Sequence, residues 1–114
     1  MAKDKDGNII DSFVLYAYHP KVSILKPGNA LYVMDREIIP LNMPVIIGSI
    51  TVEAKANHAN KVEFYIDGNL KYEDDTPPYQ WRWNEMAIGK HEIMVRAYNG
   101  ASNEAKIDVF AFML

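Results

Sequence analysis

Apolar and polar residues alternate at period two in several short runs of this chain, the pattern of half-buried β-strands rather than of helices. Val22 and Ile24 begin it. The run from Ser49 to Ala56 then puts Ile50, Val52, Ala54 and Ala56 on one face and Thr51, Glu53 and Lys55 on the other, a strand with one wet side. Lys61 to Ile66 repeats the arrangement with Val62, Phe64 and Ile66 inward, and Asp67-Gly68 follows before Leu70 and Tyr72. Asp-Gly in a two-residue loop supplies the positive φ angles of a type I′ turn, so a hairpin is predicted there.

Thr76-Pro77-Pro78 interrupts any ladder, because neither proline has an N–H to donate. The strand that restarts behind it sets Tyr79, Trp81 and Trp83 on one face and Gln80 and Arg82 on the other. His91, Ile93, Val95 and Ala97 form the next inward row, Asn99-Gly100 turns the chain, and Ala105, Ile107, Val109 and Ala111 form the last, opposed by Lys106, Asp108, Phe110 and Phe112. Leu31 to Met34 and Glu37 to Ile39 read as a small extra hairpin about Asp35-Arg36. No stretch of about eleven residues keeps a 3.6-residue apolar period between caps, so little or no helix is expected. Six or seven short strands separated by turn signals define a β-sandwich.

The two ends of the chain resemble each other. Residues 12–18, Ser-Phe-Val-Leu-Tyr-Ala-Tyr, lie over 106–112, Lys-Ile-Asp-Val-Phe-Ala-Phe, so that Tyr16 falls on Phe110 and Tyr18 on Phe112. Each copy follows a Gly-containing turn. Residues 1–19 therefore read as a linker and the last strand of a preceding repeat, and residues 20–114 as the sandwich domain, in a protein built as an array. The competing reading is chance likeness between two apolar strands.

Composition narrows the functions open to such a chain. With 114 residues, 49% hydrophobic and 24% charged, it fits one folded core. Twelve Lys and Arg against 15 Asp and Glu leave a net charge of -3 with the basic residues scattered, so no phosphate-binding stripe is present and nucleic acid is not an expected partner. No apolar run is long enough to span a bilayer, so membrane insertion of this segment is not expected either. Residues 1–7 lack the apolar core of a secretory signal. The absence of cysteine removes disulfides, thiolate metal sites and cysteine nucleophiles.

At Val62-Glu-Phe-Tyr-Ile-Asp-Gly68, Pro78-Tyr-Gln-Trp-Arg-Trp83 and Gly89-Lys-His-Glu-Ile-Met-Val-Arg-Ala97 the chain resembles the prokaryotic Ig-like domains found as tandem repeats in secreted and cell-surface proteins, and Pro20-Lys-Val-Ser-Ile-Leu-Lys-Pro27 resembles their opening strand. The resemblance implies an all-β, immunoglobulin-like antiparallel β-sandwich of about seven strands, here with an insertion between the first and second strands at residues 28–47. It also implies an extracellular or cell-surface setting. It implies no single ligand.

Candidate chemistry is sparse. His19, His58 and His91 share no metal-ligand spacing, and Ser12, Ser23, Ser49 and Ser102 lack the Gly-x-Ser-x-Gly frame of a hydrolase nucleophile. No catalytic residue, metal ligand or cofactor is therefore assigned, and the chain is read as not an enzyme. Glu73, Asp74 and Asp75 beside Asp67 offer oxygens of the kind calcium takes, but their spacing fits no calcium loop and reads as an acidic turn. Tyr79, Trp81 and Trp83 suggest a sugar platform, yet a sandwich strand must bury one face and Gln80 and Arg82 are the alternative, so the aromatic row reads as core.

Phe110 and Phe112, with Tyr16 and Tyr18 in the N-terminal copy, point away from the inward rows and form the candidate interaction surface. Either they pack on a neighbouring repeat or the Leu31 to Pro44 insertion covers them. The expected function is a non-catalytic spacer or adhesive repeat, its partners neighbouring Ig-like repeats or the same chain in a homo-oligomer. The alternative is a carbohydrate-binding accessory domain of a secreted enzyme.

Overall fold

The computed structural model describes residues 19–114 and forms ten strands: β1 Lys21–Lys26, β2 Ala30–Val33, β3 Arg36–Pro40, β4 Val45–Ile47, β5 Ile50–Asn57, β6 Lys61–Ile66, β7 Asn69–Asp74, β8 Tyr79–Trp83, β9 Ala87–Tyr98 and β10 Ser102–Met113. They make two sheets, one of three strands in the order β1-β5-β8 and one of seven in the order β3-β2-β4-β10-β9-β6-β7. Three of the ten, β2 to β4, come from the insertion between the first strand and the next of the frame, which leaves the expected seven.

Alternation places the core as the sequence implies. Val52, Val62, Phe64, Trp83, Ile93, Val95, Val109 and Ala111 are buried between the sheets, with Tyr79 beside them and Trp81 packed against them. Each fully buried large side chain stabilises the fold by about 1.5–3 kcal/mol over an exposed one. Asp67 and Gly68 take φ 52 and 83 between β6 and β7, the two positive values of a type I′ turn. Asn99 and Gly100 link β9 to β10, whose twelve-residue ladder runs from Ser102 opposite Tyr98 to Met113 opposite Ala87.

The insertion departs from its expected form in two ways. Its turn is Met34-Asp35, with φ 50 and 73, rather than Asp35-Arg36. A left-handed residue other than Gly costs roughly 1–2 kcal/mol, and here the Asp35 side chain supplies the compensation. Its Oδ1 accepts from the Thr51 amide at 2.8 Å and its Oδ2 from the Thr51 hydroxyl at 2.7 Å, while Lys26 Nζ stands 2.8 Å from Oδ1. The hairpin of the seven-stranded sheet is thus fastened to β1 and β5 of the other sheet. The second departure is parallel pairing: β4 lies parallel to both β2 and β10, Val45 opposite Leu31 and Phe110, Ile47 opposite Val33 and Phe112.

The two poles of the sandwich follow from the register. Asn103 Nδ2 donates to Pro20 O at 3.2 Å at the pole where β1 starts, and Gly48 N donates to Phe112 O at 2.9 Å at the pole where β10 ends. Nine residues of one strand separate these contacts, roughly 30 Å at about 3.4 Å per residue.

Candidate interaction surface

Side chains of β10 alternate between the core and the outer face of the seven-stranded sheet, and Phe110 and Phe112 lie on the outer face, 38% and 46% exposed. The insertion does not cover them. Its strands continue the same sheet edgewise, so their own outer side chains widen the surface instead. Tyr16 and Tyr18, the other two residues of the expected surface, lie outside the described residues.

Cross-strand neighbours complete two rows. One runs Ile39, Leu31, Val45, Phe110, Lys90 and the other Arg36, Val33, Ile47, Phe112, Ile88. Ile39, Ile47 and Ile88 are 50%, 43% and 62% exposed, and Leu31, Val33 and Val45 are half-buried. Sequence reasoning missed these six apolar residues, because the parallel pairing of β4 has no local signal. Only the continuous apolar run Val45-Ile46-Ile47 hinted that both faces of β4 are used. At the pole beside these rows a cleft of about 460 Å³ is lined by Met34, Gly48, Arg82, Phe112 and Leu114 among others.

The rest of the outer face, apart from Leu70 opposite Tyr65 and the buried Met94, is polar and internally paired. Tyr65 donates to Glu63 Oε1 at 2.5 Å, Lys61 stands 3.4 Å from Glu63, and Arg96 reaches Glu104 Oε1 at 3.0 Å and the Tyr98 hydroxyl at 3.2 Å. Burial works against the Glu63 charge, but hydrogen bonds led by the Tyr65 hydroxyl outweigh it and hold the carboxyl below its ordinary range. Burial and then the Glu63 carboxylate push the Tyr65 phenol up.

Asp67 and Asp74 serve turns. Asp67 Oδ1 accepts from the Glu92 amide at 2.8 Å and Oδ2 meets His91 Nδ1 at 2.6 Å. Asp74 accepts from the Thr76 and Gln80 amides, both at 3.1 Å, closing the acidic turn before the prolines. Among the described residues no group of three or more His, Cys, Asp or Glu converges on one point. His91 lies edge-on to Trp83 with ring centres 5.8 Å apart, facing the core and not a cleft.

These features define a class: an immunoglobulin-like β-sandwich whose polar side chains cap turns and pair across strands. The chain belongs to the bacterial Ig domain family, whose model matches residues 20–95. No curated protein matches the sequence. Among solved structures it is similar to the Clostridium thermocellum CbhA fibronectin(III)-like modules, at 24% identity and a TM-score of 0.64, over 83% of this chain and 47% of that one. An engineered protein follows at 13% identity and a TM-score of 0.52, over 83% of this chain and 20% of that one. The chain spans less than half the length of either, and identities this low show the shared fold alone.

Proposed function

We propose that this chain is a spacer or adhesive repeat of a larger extracellular or cell-surface protein, a module that sets distance and presents a surface and does no chemistry. The observation that supports it is the separation of the poles: the described chain enters at Pro20 and leaves past Phe112, roughly 30 Å apart along β10. A module threaded this way adds length to a chain and holds its neighbours apart. Membership of a family of non-catalytic domains points the same way.

The test uses the absence of cysteine. Cysteines introduced at His19 and Leu114 take a pair of spin labels or fluorophores, and the distance between them is measured. A single narrow distribution near the sandwich length is expected. A broad distribution, or one collapsed well below roughly 30 Å, overturns the spacer role.

A further inference from the structure

The geometry points to a second copy of this chain as the occupant of the apolar outer face, docked face to face about a twofold axis over β3, β2, β4, β10 and β9. The proposal stands apart from the spacing role and concerns what the module presents sideways.

Three observations carry it. First is extent. Taking roughly 200 Å² for each large side chain, the exposed fractions of Ile39, Ile47, Ile88, Phe110 and Phe112 present on the order of 500 Å² of contiguous apolar surface, at the upper end of what a monomer shows to water.

Second is the contrast between the poles. The far pole carries Asn57, His58, Asn60, Ser102 and Asn103, all exposed. Head-to-tail stacking of copies brings this polar pole against the opposite pole and leaves the apolar surface, on the side of the sheet, uncovered. Only like against like buries the apolar surface of both copies, and such an isologous contact is the one a twofold axis generates.

Third is the rim. Arg36 and Lys90 flank the apolar rows on opposite sides, and Asp108 and Glu92, opposite each other in the ladder, bound them above. Lys90 already stands 3.7 Å from Asp108 of its own chain, which leaves Arg36 and Glu92 as the charges of opposite sign that a rotated copy sets against each other, an option a border of a single sign does not give.

The size also sets the strength. A stable interface buries about 800 Å² per partner, so this face is short of one. Single copies pair weakly, and copies joined in arrays pair through repetition.

The test is sedimentation of the full chain over roughly 10 µM to 1 mM, the range in which a weak interface reveals itself. The mass is expected to rise from 13.0 kDa towards twice that, and Phe112→Asp and Ile88→Asp to stay at the monomer mass with melting temperatures near the parent's. Lys55→Glu, on the other sheet, should pair like the parent. Where Phe112→Asp is poorly folded, the milder Phe112→Ser serves. A monomer throughout the range overturns the proposal. So does association that survives Phe112→Asp and Ile88→Asp, or that Leu15→Asp abolishes, the last making the N-terminal segment of a partner the occupant. A strictly monomeric chain that keeps its narrow end-to-end distance sinks this proposal and leaves the spacer role standing; a dimer with a collapsed distance does the reverse.

Discussion

Replacing Asp35 by Asn tests how the insertion is held. The substitution keeps the size of the side chain but removes its charge and one acceptor, where the native carboxylate takes two hydrogen bonds from Thr51 and an ion pair from Lys26, with Arg82 3.8 Å away. Partial burial opposes the charged form, but the hydrogen bonds from Lys26 and Thr51 outweigh it and hold the carboxyl at about 2 against an ordinary 3.8. At about 1.4 kcal/mol for each tenfold change in proton affinity this amounts to about 2.5 kcal/mol. Solvent screening at a side chain still 23% exposed brings it to about 1–2 kcal/mol. With a urea slope of about 2 kcal/mol per molar, the unfolding midpoint of Asp35→Asn should fall by roughly 0.5–1 M at pH 7.

The sign of the pH dependence follows from the depressed value. Between 3.8 and about 2 the unfolded chain binds the proton and the folded one resists it, so the contribution is whole above about pH 5 and is lost as pH falls through that window. Asn does not titrate. The gap between parent and variant, read from tryptophan fluorescence in urea at pH 7, 5, 3 and 2, should therefore be widest at neutral pH and close on acidification. Equal midpoints at pH 7, or a gap that is constant from pH 5 to 2, refute the argument. Faster amide exchange in Ala30–Pro40 of the variant should accompany the loss.

Other perturbations have simpler outcomes. Trp83→Ala removes a fully buried indole and should cost about 3–5 kcal/mol in urea or thermal unfolding. Gly48→Ala puts a side chain at φ +83, where an added Cβ meets Met34 Sδ; the sulfur sits on a flexible arm, so the cost should be the backbone's, about 1–2 kcal/mol by the same assay. Asp67→Ala frees the Glu92 amide and His91, and a loss of about 1 kcal/mol is expected in the urea midpoint. EDTA should leave the melting temperature unchanged, since the Asp67 and Asp74 oxygens already accept from backbone amides; a lowered melt would assign a cation to that turn.

Much of the sandwich is legible wherever one face of a strand is wet. Period-two alternation alone separates Val62, Phe64 and Ile66 from Glu63 and Tyr65, and Asp67-Gly68 sets the register of its hairpin because few residues other than Gly, Asn and Asp accept both positive φ values. The burial of Tyr79 and Trp83 followed from the choice between them and Gln80 and Arg82. The insertion was less legible for physical reasons. Met34 carries no local signal for a left-handed conformation, and the Asp35 contacts that stabilise it come from residues 26 and 51. Nor does any sequence period announce that Val45 and Ile47 lie beside Phe110 and Phe112, since a parallel pair is joined by a long connection and not by a turn. So the outward placement of Phe110 and Phe112 was legible, and the width of the apolar patch around them was not.

The two halves of the outer face bear on the carbohydrate alternative. A sugar platform needs an aromatic ring with one free face. Trp83 is buried and Trp81 packs against the core, so β8 presents no such platform. The aromatics left on the polar half are Tyr65 and Tyr98, and each already has a cation over it: Arg96 lies 5.2 Å from the centre of Tyr65, and Lys61 5.2 Å from that of Tyr98. A sugar would have to displace a cation that is itself tied to Glu104 or to Glu63 and Glu73. On the apolar half Phe110 and Phe112 are exposed among apolar cross-strand neighbours; the polar side chains near them are Lys90, opposite Phe110, and Ser49, Arg82 and Asn84 at the cleft beside Phe112, of which Arg82 already donates to the Ser49 hydroxyl at 2.7 Å. A panel of immobilised polysaccharides should therefore retain the chain no better than its Tyr98→Ala and Phe112→Asp variants. Retention of the parent that Tyr98→Ala loses would mean that Lys61 yields its place on the ring, and would put a glycan partner in place of the proposed spacer or adhesive role.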